Sequence, residues 1–139
     1  MQFPDGKFKE LTAAIIGAAI EVHRHLGPGL LESSYEECLE WELTQLKLSV
    51  KRQVNVPLIY KGISLRSVYR LDLLVEKSVI VDVKSVVALL DVHHAQVVTY
   101  LRHTRLEVGL LINFNEALLR QGVRRIALTP RGNGVWEQI

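Results

Sequence analysis

The chain is poor in several things at once, and each scarcity excludes something. One cysteine, Cys38, stands among 139 residues, so no intrachain disulfide can form and a reducing, cytoplasmic setting is expected. Its expected place is the inner face of a helix, as a packing thiol rather than a reactive one. Long apolar runs are missing: the longest, Ala13 to Ile20, falls far below the ~20 residues needed to span a bilayer, so no membrane partner is expected. The N-terminus opens on polar and charged residues, and no secretory signal is expected there. Excess charge is scarce too, with 17 basic against 15 acidic residues and a pI near 8.8. A nucleic-acid binder of this kind must concentrate its charge locally, and Arg102, Arg105, Arg120, Arg124, Arg125 and Arg131 are the candidates. There is no internal repeat, no low-complexity segment and no phosphate loop, since Gly27-Pro28-Gly29 has neither the lysine nor the spacing of one.

What remains is the composition of one ordinary globular domain, 48% hydrophobic and 23% charged, expected to span residues 1–139 with a core over about 8–129 and a loosely held tail over 130–139. Phe8, Leu11, Ile15, Val22 and Leu26 recur at helical spacing, predicting a helix from Lys7 to Leu26 that Gly27-Pro28-Gly29 stops. A second helix is predicted from about Leu30 to Leu48, burying Leu31, Tyr35, Cys38, Leu39, Leu43 and Leu46, with Glu32 in its first turn, where an acid favours the helix dipole. Gln53 to Tyr60 alternates as a strand, and Lys61-Gly62 turns back into the next. Asp91 is the expected N-cap of a third helix from Val92 to about His103, on which His93, Gln96 and Tyr100 share a polar stripe. Leu106 to Phe114 reads as a strand buried on both faces and Arg124 to Thr129 as a final one. The order α-α-β-β-β-α-β-β implies an α/β fold with one mixed sheet and helices packed against it.

Tyr69 to Lys84 is the informative stretch: two Val, Ile and Leu-rich strands that carry charges where a core hairpin should have none. Alternation puts Leu71, Leu73 and Val75 on one face and Arg70, Asp72 and Leu74 on the other. A three-residue loop of Glu76, Lys77 and Ser78 pairs Val75 with Val79, which sets Asp72 opposite Asp82 and Arg70 opposite Lys84. Like charges directly opposed destabilise a strand pair unless a cation lies between them. Two acids and a lysine here therefore point to a hard divalent metal bound through oxygen. A solvated edge or a structural salt-bridge cluster are the competing readings of a D-x-K triplet taken alone.

Read in order, Gly29-Leu-Leu-Glu32-Ser-Ser-Tyr35, Arg70-Leu-Asp72, Asp82-Val-Lys84 and Gln96-Val-Val-Thr-Tyr100 together resemble the GxxExxY proteins of the PD-(D/E)XK nuclease superfamily, the last motif being similar to that of RecB-like nucleases. The likeness runs from Ile15 to Leu128 and includes Val22-His23, Leu26-Gly-Pro-Gly29 and Ile112-Asn-Phe-Asn115. It implies a restriction-endonuclease-like core, a mixed sheet flanked by helices. It also implies that Glu32, Asp72, Asp82 and the Val83 carbonyl hold Mg2+ or Mn2+, that Lys84 is the catalytic lysine, and that Gln96 and Tyr100 orient the site or a phosphate. Tyr35, His93 and Arg70 are added as substrate-binding candidates. Leu71 stands where the family pattern has proline, and Asp82 where glutamate prevails, one methylene shorter. The activity implied is metal-dependent hydrolysis of phosphodiester bonds in nucleic acid, DNA ahead of RNA, with a homodimer left open. The alternative is a catalytically weak module of the same fold that binds nucleic acid or a protein partner.

Overall fold

The computed structural model describes residues 7–128 and 134–138. Helix α1 (Lys7–Leu26) has the predicted limits, and Gly27 and Gly29, at φ of 67° and 99°, turn the chain into α2 (Glu32–Gln45). There follow β1 (Val50–Tyr60), β2 (Ile63–Val75), β3 (Val79–Lys84), α3 (Asp91–Thr104), β4 (Val108–Asn113), a 3-10 turn (Leu119–Gly122), β5 (Val123–Leu128) and β6 (Gly134–Gln138). The six strands lie side by side in chain order. Only β3 and β4 are parallel, because α3 carries the chain across between them, while every other neighbouring pair is antiparallel.

The sheet is covered on both faces. Ile15, Ala19, Tyr35, Leu39 and Leu43 of α1 and α2 pack on Leu73, Val81, Val83, Leu110 and Ile112. On the other face Val97, Tyr100 and Leu101 of α3 pack on Ile80, Leu111 and Ile126. Strands β3 and β4 are buried along nearly their whole length, as strands covered on both faces must be.

The expected element order holds from α1 to β5. Beyond it, part of the expected tail is a strand, β6, paired antiparallel with β5, while Thr129, Arg131 and the remainder of that tail lie outside the described residues. Helix α2 is shorter at both ends than its periodicity predicts. Leu31 precedes it and is exposed, Leu46 follows it and is exposed, and Lys47 turns left-handed, so neither leucine reaches the core. Cys38 is half-buried at the edge of the core under α1 and α2. Asp91 is the first residue of α3 rather than its cap. The Leu90 N–H instead donates to Nδ1 of His93 at 2.9 Å, the reciprocal arm of a capping arrangement.

The predicted hairpin register is the one observed: Val75 pairs with Val79, Leu74 with Ile80 and Leu73 with Val81. The predicted facing is not. Leu73 and Val75 point toward α1 and α2, whereas Leu71 and Tyr69 join the α3 side. Strand β1 switches at the same level, with Val50 on the first side and Val54 and Val56 on the second. Between the two regimes, Arg52 pairs with Leu73 and Val54 with Leu71, which leaves Gln53 and Asp72 facing each other. Gln53 is left-handed there, at φ 56°, inside a strand. A left-handed glutamine is costly and interrupts strict two-residue alternation, so both strands exchange faces at this one position.

Candidate active site

The β2–β3 ladder ends at Leu73 and Val81, and the strands part just where the aspartates stand. The next donor on β3, the Val83 N–H, goes to Asp72 Oδ2 at 2.7 Å instead of to a backbone carbonyl. Asp72 also shares a hydrogen bond with Asp82, a residue only 4% exposed. Burial first, then the Asp82 hydrogen bond and charge, and last the charge of Glu36, push the Asp72 carboxyl up to about 8 against the lowering effect of the Val83 N–H. The pair therefore holds a proton at neutral pH in the absence of a cation.

Asp82 Oδ2 is buried and makes no hydrogen bond. Its nearest cation, Lys84 Nζ, stands at 3.5 Å, longer than the ~2.7 to 2.9 Å of a charge-assisted hydrogen bond. Two acids forced together, one protonated and the other with an orphaned oxygen, form a set of hard oxygen donors that a divalent cation would neutralise, so the residues fit such an ion. Among the described residues, though, no three His, Cys, Asp or Glu side chains gather closely enough to hold a metal unaided.

Glu32 does not join the aspartates directly. Its Oε1 accepts the N–H of Ser85 at 3.3 Å, one residue beyond Lys84, while Ser85 Oγ donates to the Leu30 carbonyl at 2.7 Å. These bonds fasten the N-terminal end of α2 to the exit of β3, and an open cleft lined by Leu30, Leu31, Glu32, Ser33 and Ser85 lies there. Asn113 secures the same segment from β4: its Oδ1 accepts the Val86 N–H and its Nδ2 donates to the Val86 carbonyl, both at 3.0 Å. The site thus sits at the carboxyl end of a parallel strand, a usual place for ligands in α/β sheets.

Tyr100 of α3 approaches from the other face. Burial and then the charges of Asp82 and Asp72 hold its phenol up at about 12, so it stays a hydrogen-bond donor across the physiological range. Its ring meets that of Tyr69 edge-on at 4.9 Å. Gln96, one helical turn earlier, has a buried Oε1 without a partner among the described residues. His93 is occupied at the start of α3. Arg70 is exposed and donates to Asn55 Oδ1 at 3.3 Å across the β1–β2 pair, and the β2–β3 ladder stops short of bringing it opposite Lys84.

Tyr35 is turned into the core. It is fully buried, stacks on Phe114 at 4.5 Å, donates its hydroxyl hydrogen to the Gly27 carbonyl at 2.5 Å and accepts the Leu30 N–H at 3.1 Å. The motif tyrosine is therefore a clasp that shapes the glycine turn leading to Glu32. One acid does not stand out in the sequence: Glu36, only 4% exposed, accepts Arg52 Nε at 2.9 Å and Gln53 Nε2, and its charge reaches Asp72. Its spacing from Glu32, four residues along one helix, puts both acids on one face and is the signal that could have found it.

Nothing among curated proteins or solved structures matches the chain. A family model does, over residues 9–126, a span that runs from α1 through most of β5 and takes in both aspartates, Lys84 and Tyr100. Over most of its length, then, and with the mixed sheet that positions those groups, this chain belongs to the PD-(D/E)XK nuclease superfamily.

Proposed function

We propose that the protein hydrolyses phosphodiester bonds in DNA with the help of Mg2+ or Mn2+, as a cytoplasmic enzyme whose α2 and α3 motifs resemble those of GxxExxY proteins and RecB-like nucleases. The observation that carries this is the acid pair at the fork of β2 and β3: a buried Asp82 oxygen without a hydrogen bond beside a protonated Asp72, with Lys84 Nζ 3.5 Å away. No structural economy keeps two buried carboxylates in contact, since such a cluster costs more in desolvation than it returns.

Asp72, Asp82 and the Val83 carbonyl would hold the cation, with Glu32 adding a carboxylate from the start of α2. When bound, such an ion acidifies a water and neutralises charge on the phosphoryl oxygens. Lys84 brings a positive charge to the scissile phosphate and offsets the negative charge that builds there as the leaving oxygen departs. Tyr100, its proton held firmly, donates to a phosphate oxygen, and Gln96, one turn away with a buried Oε1 unpartnered among the described residues, orients the site as an acceptor. Glu36 stands behind Asp72, fixed by Arg52 and Gln53, and keeps the strand junction in place.

A second reading has one observation in its favour: Glu32 is spent on Ser85 and no three-acid cluster forms among the described residues, as in a binding module with weak chemistry. Cleavage of single- and double-stranded DNA and of RNA with Mg2+ or Mn2+ distinguishes the two. Wild type should cut DNA, and Lys84→Ala should lower the rate at least about a hundredfold, the scale of losing one charge-stabilising group. Substrates left intact by wild type in every metal and strand type would leave only the binding module.

A further inference from the structure

Resting on the reading of the site as a DNA nuclease, we infer that the β1–β2 hairpin is a DNA-gripping arm that lies in the major groove of a duplex beside the cleavage site. Its charge is the first argument. From Lys51 to Leu71 the chain has five of the seventeen basic residues and none of the fifteen acids, so the remainder, with twelve bases and fifteen acids, is net negative. Of the arginines expected to gather charge elsewhere, two are engaged: Arg125 pairs with Glu137 at 3.1 Å, and Arg124 lies over the Trp136 ring at 5.4 Å. On the arm, Lys51, Lys61 and Arg66 are exposed, and none forms an ion pair with an acid among the described residues.

Shape is the second argument. Beyond Val56 and Tyr69 the two strands leave the core, and Ile59, Tyr60, Ile63, Leu65 and Val68 are exposed in succession around the Lys61-Gly62 turn. Seven residues separate Tyr69 from Gly62, a reach of about 23 Å at ~3.3 Å per residue, roughly two-thirds of a turn of a duplex. The major groove of B-form DNA admits a two-stranded ribbon. Cations on such a ribbon meet phosphates while apolar side chains meet thymine methyls and sugar, and this arm offers both kinds of side chain. A-form RNA, whose major groove is deep and narrow, offers it no such seat. Edge pairing with a second copy is opposed by Lys51, Pro57 and Lys61 on and beside β1, which is the sheet's outer strand, and by the like charge of two arms.

The test is binding of a short labelled DNA duplex in EDTA, followed by anisotropy across a salt series. Lys61→Ala with Arg66→Ala, both at exposed positions, should weaken binding about tenfold and lower the salt slope by about two, one for each phosphate that is no longer neutralised. Ile63→Ser should weaken binding and leave the slope unchanged. The inference is overturned if the double variant binds as wild type does, if wild type binds an RNA duplex as tightly as DNA, if wild type binds neither, or if the variant alters the oligomeric state instead. The two readings fail separately. Arm-dependent binding without cleavage in any metal removes the nuclease and keeps the arm; equal cleavage and equal KM in both proteins removes the arm and keeps the nuclease.

Discussion

Strand β2 contains two molecules' worth of behaviour in thirteen residues. Ile63 to Val68 are exposed to solvent, whereas Leu71, Leu73 and Val75 are buried between helices. Both halves are rich in Ile, Leu and Val, so strand propensity does not separate them. What does is the cover: the helices reach as far as Tyr69, which meets Tyr100 of α3, and past that point β2 has mainly β1 for company. The acid pair lies just inside that boundary, where the ladder to β3 stops and Asp72 takes the Val83 N–H in its place. A site of this kind needs both neighbours, since the packed half holds the carboxylates rigidly and the bare half is free to meet a long polymer.

The sharpest way to break the comparison is a matched pair of truncations. Leu73→Ala removes a fully buried side chain and should cost ~2 to 5 kcal/mol in a denaturant titration, whereas Ile63→Ala, at a position 62% exposed, should stay within ~0.5 kcal/mol. Equal costs would mean that the arm folds back on a surface and is not bare.

The boundary itself is tested by pH. Asp72 sits near 8 in the folded chain, far above the ordinary carboxyl, so the native state keeps a proton that the unfolded chain releases. Its contribution to stability is then fully present below about pH 4 and is lost as pH rises through 8. Denaturation in EDTA should show wild type weakening by about 3 to 4 kcal/mol from pH 5 to 8, and Asp72→Asn, which cannot titrate, should flatten that slope. A wild-type curve already flat over this range would mean that the two carboxyls are not in contact.

Much of this frame is legible in the residues and some of it is not, for identifiable reasons. The β2–β3 register follows from the three-residue turn and from matching Val75 to Val79, because a slip by one residue would expose an entire apolar set. The exchange of faces at Asp72 is invisible to any alternation rule, since it depends on a left-handed Gln53 on the neighbouring strand, held by Glu36 on a helix. Tyr35 misleads for a related reason: periodicity places it on the inner face, but only the fold shows that Phe114 and Gly27 occupy its ring and hydroxyl. Glu36 looks like one more exposed acid in a helix rich in glutamate until Arg52 is brought to it from β1. Strand β6 is hidden because Gly134 to Gln138 is short and follows Pro130 and Gly132, which read as loop.

The smallest effect lies at the turns that end the two halves of β2. At the arm's tip the chain reverses through Lys61 and Gly62, both at positive φ, a pairing suited to a two-residue hairpin. At the packed end it reverses through Glu76 and Lys77, at φ of 52° and 53°, with no glycine at all. The strain is tolerated there because the surroundings over-determine the turn: Glu76 exchanges two bonds with Ser49, its N–H donating to the Ser49 carbonyl and its Oε2 accepting the Ser49 N–H, both at 2.7 Å. Lys77 has no such tie to Ser49, so Lys77→Gly should relieve ~1 to 2 kcal/mol of left-handed strain against ~0.5 to 1 kcal/mol of added chain entropy in the unfolded state. The net expectation is a gain of about 0.5 to 1 kcal/mol, read as a small rise in Tm. A drop in Tm on the same substitution would show that the lysine side chain holds the packed end of β2, and that the turn, like the arm, depends on groups beyond its own backbone.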